Sequence, residues 1–240
     1  MNDGQDLLLK RLRQAQQEPK TVVRIDAVFL VDRSYSMGPC LEALKEHIKD
    51  FAAGLARSPY FSSVDYRIGL LGQTAVGAGG DYDILYPTSD LARFAKVVDR
   101  LKVGGDEFTL PALDRCLDFP WREDARRFIL LLSDEPVSTG SNPSFQRSKL
   151  QELLTKAMTL GVATYVVAPE CEEFRALSTL RRSQGFFITS HADFFRQDFA
   201  RYLETLGRMV SSSSGAFNPK TGKVTADLYG LRGKAKERIH

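Results

Sequence analysis

Histidine and cysteine are scarce in this chain, three of each in 240 residues. Cys40, Cys116 and Cys171 are isolated and odd in number, so neither a disulfide framework nor a zinc-ligand spacing follows from them. His47, His191 and His240 are equally scattered, which excludes a histidine-built metal site as an expectation. No segment approaches 18 consecutive apolar residues, so no transmembrane helix is predicted. Between Met1 and Glu18 the only apolar run is Leu7-Leu8-Leu9, too short for a signal-peptide core, and the protein is expected to be soluble and cytoplasmic. A formal net charge of +3 is too small to argue for nucleic acid, and no stretch interleaves basic and aromatic residues as a binding platform would.

With 43% of residues apolar and 26% charged, the chain can build a sizeable core as one large α/β domain with short extensions. Residues 6–17 are strong helix formers, and Pro19 stops them. Thr21 to Val31 reads as a central strand, and Leu41, Leu44, Ile48, Phe51 and Leu55 place a helix from Cys40 to about Ala56. Arg67–Leu71 and Asp83–Tyr86 are predicted strands joined by a flexible Gly72–Gly80 connector. Its Gly77-Ala78-Gly79-Gly80 lacks the helix start and lysine of a nucleotide loop. Further helices are predicted at Leu91–Leu101, Pro111–Leu117, Ser148–Leu160, Cys171–Arg182 and Asp193–Val210. Strands are predicted at Phe128–Leu132, Val162–Ala168 and Phe186–Thr189, a long irregular loop at Glu135–Ser148, and Trp121 is read as a packing anchor. The alternation predicts a doubly wound, mostly parallel sheet with helices on both faces, whose ligands sit at the carboxyl ends of strands. The expected organisation is a helical extension over 1–20, one domain over 21–210, and a tail over 211–240. That tail opens with a Ser-rich linker, continues as a short hairpin at Ala216–Tyr229, and carries six basic residues against two acids.

Within this frame, Val28-Phe29-Leu30-Val31-Asp32-Arg33-Ser34-Tyr35-Ser36-Met37 is the stretch that carries chemistry. An apolar strand ends in an acid, and hydroxyls follow two and four residues later. Alternate residues of an extended loop point the same way, so Asp32, Ser34 and Ser36 can present hard oxygens to a cation such as Mg²⁺. The string equally suits an ordinary turn before an N-capped helix. It resembles the metal-ion-dependent adhesion site of von Willebrand factor A (VWA) domains. That family draws further ligands from a Thr in a Gly-rich loop and an Asp ending a hydrophobic strand. Gly104-Gly105-Asp106-Glu107-Phe108-Thr109-Leu110 and Phe128-Ile129-Leu130-Leu131-Leu132-Ser133-Asp134 match these in the family's order.

The resemblance covers roughly residues 22–208 and implies a Rossmann-like VWA fold. It implies that Asp32, Ser34, Ser36, Thr109 and Asp134 hold Mg²⁺ or Mn²⁺, directly or through water. It further implies a non-catalytic adaptor that binds an acidic side chain of a protein partner, in a multiprotein system with an AAA+ ATPase or with a kinase or phosphatase. Arg33 and Tyr35 are expected to project outward into the contact surface. Asp106 and Glu107 are expected on the rim, where they attract the metal or repel an acidic partner. Two other readings stay open: a metal-dependent hydrolase in which Asp106 or Glu107 acts as base, and RNA binding through the basic tail. The sequence departs from the family's commonest pattern at bulky Arg33 and Tyr35, at Glu135-Pro136 after Asp134, and at Glu107-Phe108 before Thr109.

Overall fold

The computed structural model describes residues 22–56, 63–76, 79–188, 203–208 and 210. The helix expected over 6–17, the linker, hairpin and tail expected over 211–240, and most of the helix expected from Asp193 lie outside the described residues.

Strand β1 (Val22–Asp32) is buried continuously from Ile25 to its end, as a strand covered on both faces must be. It pairs in parallel with β2 (Ser63–Val76) on one side and β4 (Arg126–Leu132) on the other. β5 (Val162–Ala168) and β6 (Gln184–Phe187) continue the parallel array, while β3 (Gly79–Thr88) runs antiparallel along β2. The six-stranded order is therefore β3-β2-β1-β4-β5-β6. The helices that complete the alternation are α1 (Gly38–Ala56), α2 (Leu91–Val98), α3 (Thr109–Leu117), α4 (Pro143–Ser148), α5 (Leu150–Leu160) and α6 (Glu172–Ser178). None of the described helices is long and apolar enough to cross a membrane.

Side-chain alternation divides the core into two layers. Phe29 and Val31 of β1, with Phe128, Leu130 and Leu132 of β4, face α1 and α2. Val28 and Leu30, with Ile129 and Leu131, face α3, α5 and α6. On the first side Phe29 meets Phe51 edge-on, ring centroids 5.0 Å apart. Each such fully buried large side chain contributes about 1.5–3 kcal/mol through burial. The doubly wound α/β fold expected from the sequence is the fold observed.

Two expectations change. The Gly72–Gly80 stretch is mostly strand, because β2 runs on to Val76 and β3 starts at Gly79. The loop after β4 contains α4, whose N-cap Asn142, with a left-handed backbone (φ 49°), accepts a hydrogen bond from the Phe145 amide.

One buried acid away from the Asp32 loop has a structural role. Asp26 in β1 has no exposed surface and receives Arg67 Nη2 at 2.6 Å, Arg122 Nε at 2.9 Å and the Arg122 amide at 2.9 Å. Burial alone would push its carboxyl up, and these bonds and charges outweigh that, leaving it below the usual carboxylate range. Trp121 is an anchor, as read from the sequence: its indole N–H donates to the Leu117 carbonyl at the end of α3, 3.1 Å away.

Residues 203–208 are helical and press against α1 through glycine. A Cβ on Gly54 would stand 2.3 Å from the Glu204 carbonyl oxygen, and one on Gly207 would stand 2.3 Å from that of Phe51. Helix propensity alone predicts that Gly54→Ala stabilises the protein by about 1 kcal/mol. The contact predicts the opposite, a loss of about 1–3 kcal/mol as two helix backbones are forced apart. Urea denaturation of the two proteins measures which sign holds.

Candidate metal centre

The strand order places β1 beside β4, and their following loops leave the sheet toward opposite faces. The crevice between them lies at the carboxyl ends of the strands, where Asp32 and Asp134 stand. Both are almost wholly buried.

Asp32 folds its own loop. Its Oδ1 accepts the Ser34 amide at 2.7 Å, and its Oδ2 accepts the Ser133 hydroxyl at 3.2 Å. The Ser34 and Ser36 hydroxyls then lie 3.1 Å apart. A single turn of 3₁₀ helix (Tyr35–Met37) joins this loop to α1.

Thr109 opens α3, its side chain buried. Gln73, fully buried near the end of β2, holds this segment from one side. Its Oε1 accepts the Phe108 amide at 2.6 Å, and its Nε2 donates to the Thr109 hydroxyl at 3.3 Å. Gln146 of α4, also fully buried, holds it from the other. Gln146 Oε1 accepts the Leu110 amide at 3.1 Å, and its Nε2 donates to the carbonyls of Ser141 (2.8 Å) and Glu107 (3.4 Å). The sequence reading missed both glutamines. The available signal for Gln73 was a lone amide in the strand-like run Ile68-Gly69-Leu70-Leu71-Gly72-Gln73-Thr74-Ala75-Val76.

Of the four residues expected on the contact surface, Tyr35 and Asp106 are exposed. Glu107 is instead only 5% exposed, and one oxygen each from Asp32, Glu107 and Asp134 fit within 4.8 Å of one another. It belongs to the centre, because the loop that delivers Thr109 turns it inward. Arg33 does not project outward either. Its guanidinium lies beneath the loop, 2.9 Å from Asp81 and 2.9 Å from Asp83 of β3, and donates to the Lys102 carbonyl at 3.1 Å. Its stem passes over Gly72, where a Cβ would come within 2.9 Å of Arg33 Cδ. The Arg33 carbonyl accepts the Gly104 amide at 2.7 Å, so this residue ties the Asp32 loop to the Thr109 loop.

Three carboxylates in so small a buried volume are electrostatically strained. Two charges about 5 Å apart repel by roughly 3 kcal/mol at an effective dielectric of about 20. Burial first, then the charges of Glu107 and Asp134, push the Asp32 carboxyl up to about 8, although the Ser34 amide and Ser133 hydroxyl favour its ionised form. Burial also raises Glu107, with the charges of Glu135 and Asp134 adding to it and the Ser34 hydroxyl opposing. The donors are all oxygen, the preference of a hard divalent cation such as Mg²⁺ or Mn²⁺. A cation would relieve the repulsion that the proton otherwise relieves, so the residues present fit one.

The metal-free protein therefore has a defined pH response. Between about pH 4, where an unfolded Asp titrates, and about pH 8, the folded state keeps a proton that the unfolded chain has released. Stability falls as pH rises through that window. Urea denaturation in EDTA at pH 5.5 and pH 8 should show a drop for wild type that exceeds that of Asp32→Asn by about 1.4 kcal/mol or more, the equivalent of one unit of linkage.

No protein-family model matches the sequence, and no curated protein matches it. Among solved structures it is similar to a von Willebrand factor type A protein from Catenulispora acidiphila, with a TM-score of 0.57 and 15% identity over 79% of this chain and 43% of that one. It is similar to the SpRpn10 VWA domain, with a TM-score of 0.55 and 16% identity over 74% of this chain and 94% of that domain. It is also similar to proximal thread matrix protein 1 from the mussel byssus, with a TM-score of 0.51 and 14% identity over 78% of this chain and 47% of that one. The chain thus spans less than half the length of the Catenulispora protein and nearly all of the SpRpn10 domain. Its architecture is that of the von Willebrand factor A domain.

Proposed function

We propose that this chain is a non-catalytic, metal-dependent protein-interaction module. It uses Asp32, Ser34, Ser36, Thr109 and Asp134 to hold Mg²⁺ or Mn²⁺ and presents that centre to an acidic side chain of a protein partner. The observation that carries this reading is the convergence of buried carboxylates beside hydroxyls at the carboxyl edge of the sheet. When bound, the cation supplies Lewis acidity toward one further oxygen ligand. The chain's own residues do the rest. Asp32 and Ser133 fix the first loop, Gln73 orients the Thr109 hydroxyl, and Gln146 fixes the start of α3.

We read the centre as a binding site rather than a hydrolytic one. A hydrolase needs a base aimed at a water, or a second ion beside the first. His47, the one histidine among the described residues, sits on α1 with Glu46 and Asp50, away from the cluster. Exposed Tyr35 stands next to the ligand serines, and exposed Phe145 stacks on Phe108 at 6.3 Å, so apolar groups flank the acidic centre. Aromatic contact around a charged anchor is a common composition for protein interfaces.

Isothermal titration of metal-stripped protein tests the reading. Saturable binding of one Mn²⁺ or Mg²⁺ per chain is expected. Asp32→Ala should abolish it, and Thr109→Ala should weaken it by about tenfold or more while the fold is kept. A wild type that takes up no cation overturns the proposal.

A further inference from the structure

We propose that Glu107 is a built-in ligand of this centre, occupying the position that an acidic partner residue would otherwise fill, so that a partner gains access only by displacing it. The inference rests on the metal-binding reading above and adds to it how the site is regulated.

Glu107 is held in the centre by its surroundings. Its carbonyl accepts the Ser141 amide at 2.9 Å and the Gln146 side chain at 3.4 Å, and the next amide, Phe108 N–H, is bound by Gln73 at 2.6 Å. Gly140 closes over the same point, where a Cβ would lie 2.8 Å from the Glu107 oxygen. The backbone is pinned on both sides, so only side-chain rotation can remove the carboxylate. The nearby arginines do not compete for it: Arg33 is committed to Asp81 and Asp83, and Arg147 to Glu173.

The charge count decides what Glu107 does to the site. Asp32 and Asp134 alone would balance a divalent cation and leave it open to one more carboxylate. With Glu107 the protein itself supplies three negative charges against two positive, and an incoming acid meets an occupied position and a net negative centre. More ligand charge tightens hold on a hard cation. Wild type should accordingly retain its metal well and bind acids weakly, with apparent affinity reduced by the fraction of molecules in which Glu107 is seated.

Chemical rescue of a cavity variant tests this. Glu107→Ala and Glu107→Gln, checked for folding by circular dichroism, are titrated with Mn²⁺ with and without acetate. Water-proton relaxation counts the waters on bound Mn²⁺. Expected are Mn²⁺ binding weakened about tenfold or more in both variants, one extra water on Mn²⁺ in Glu107→Ala, and acetate restoring affinity to Glu107→Ala while leaving wild type unchanged. Equal Mn²⁺ affinity and equal water count in wild type and Glu107→Ala overturn the role of Glu107 and leave the metal module standing. Absence of Mn²⁺ binding in wild type overturns the metal reading and this inference with it.

Discussion

Like charges do not collect in a protein interior unless something compensates them, and this molecule depends on how it brings Asp32, Glu107 and Asp134 together. Roughly 3 kcal/mol of repulsion per ionised pair is comparable to a large part of a domain's net stability. The fold therefore carries a standing cost that a proton or a cation removes. Burial makes the cost larger by keeping solvent from screening the charges.

Much of the neighbouring structure holds that arrangement in place. Gln73 and Gln146 carry no charge, yet between them they bind the Phe108 and Leu110 amides, the Thr109 hydroxyl and the Glu107 carbonyl. Neutral amides serve here because a further charge would alter the balance that the carboxylates set. Arg33, one residue from Asp32, turns its charge away toward β3, where Asp81 and Asp83 are half-exposed partners. A long cation next to the centre thus joins the Asp32 loop to the edge strand, without neutralising the cluster. Asp26 shows the contrasting solution in the same strand: a buried acid that takes two arginines is satisfied permanently.

How much of this was legible in the sequence follows from the range of the interactions. The strands β1, β4 and β5 announce themselves by the apolar runs Ala27–Val31, Phe128–Leu132 and Tyr165–Ala168, and the helix after the Asp32 loop by its 3.6-residue periodicity, because those signals are local. Asp32, Ser34, Ser36, Thr109 and Asp134 stood out by their spacings within three short segments, and of these the fold brings the carboxylates of Asp32 and Asp134 together. β2 was underestimated because Gly72, Gln73 and Thr74 look like a loop; their strand character comes from pairing with β1 and β3 and from the passage of Arg33 across Gly72. The inward turn of Glu107 and the retreat of Arg33 were not legible, since each is decided by partners 30 to 50 positions away, Gln73 and Gln146 for one and Asp81 for the other. The family resemblance was carried by those three segments alone, and overall sequence identity to the three solved structures is only 14–16%.

Anomalous diffraction at the manganese edge from crystals grown with Mn²⁺ tests the central claim most directly. The account predicts one strong peak per chain, in the crevice bounded by Asp32, Ser34, Ser36, Thr109 and Asp134, with a Glu107 oxygen in contact with it. Crystals without a peak there, or with the ion held elsewhere, would contradict it.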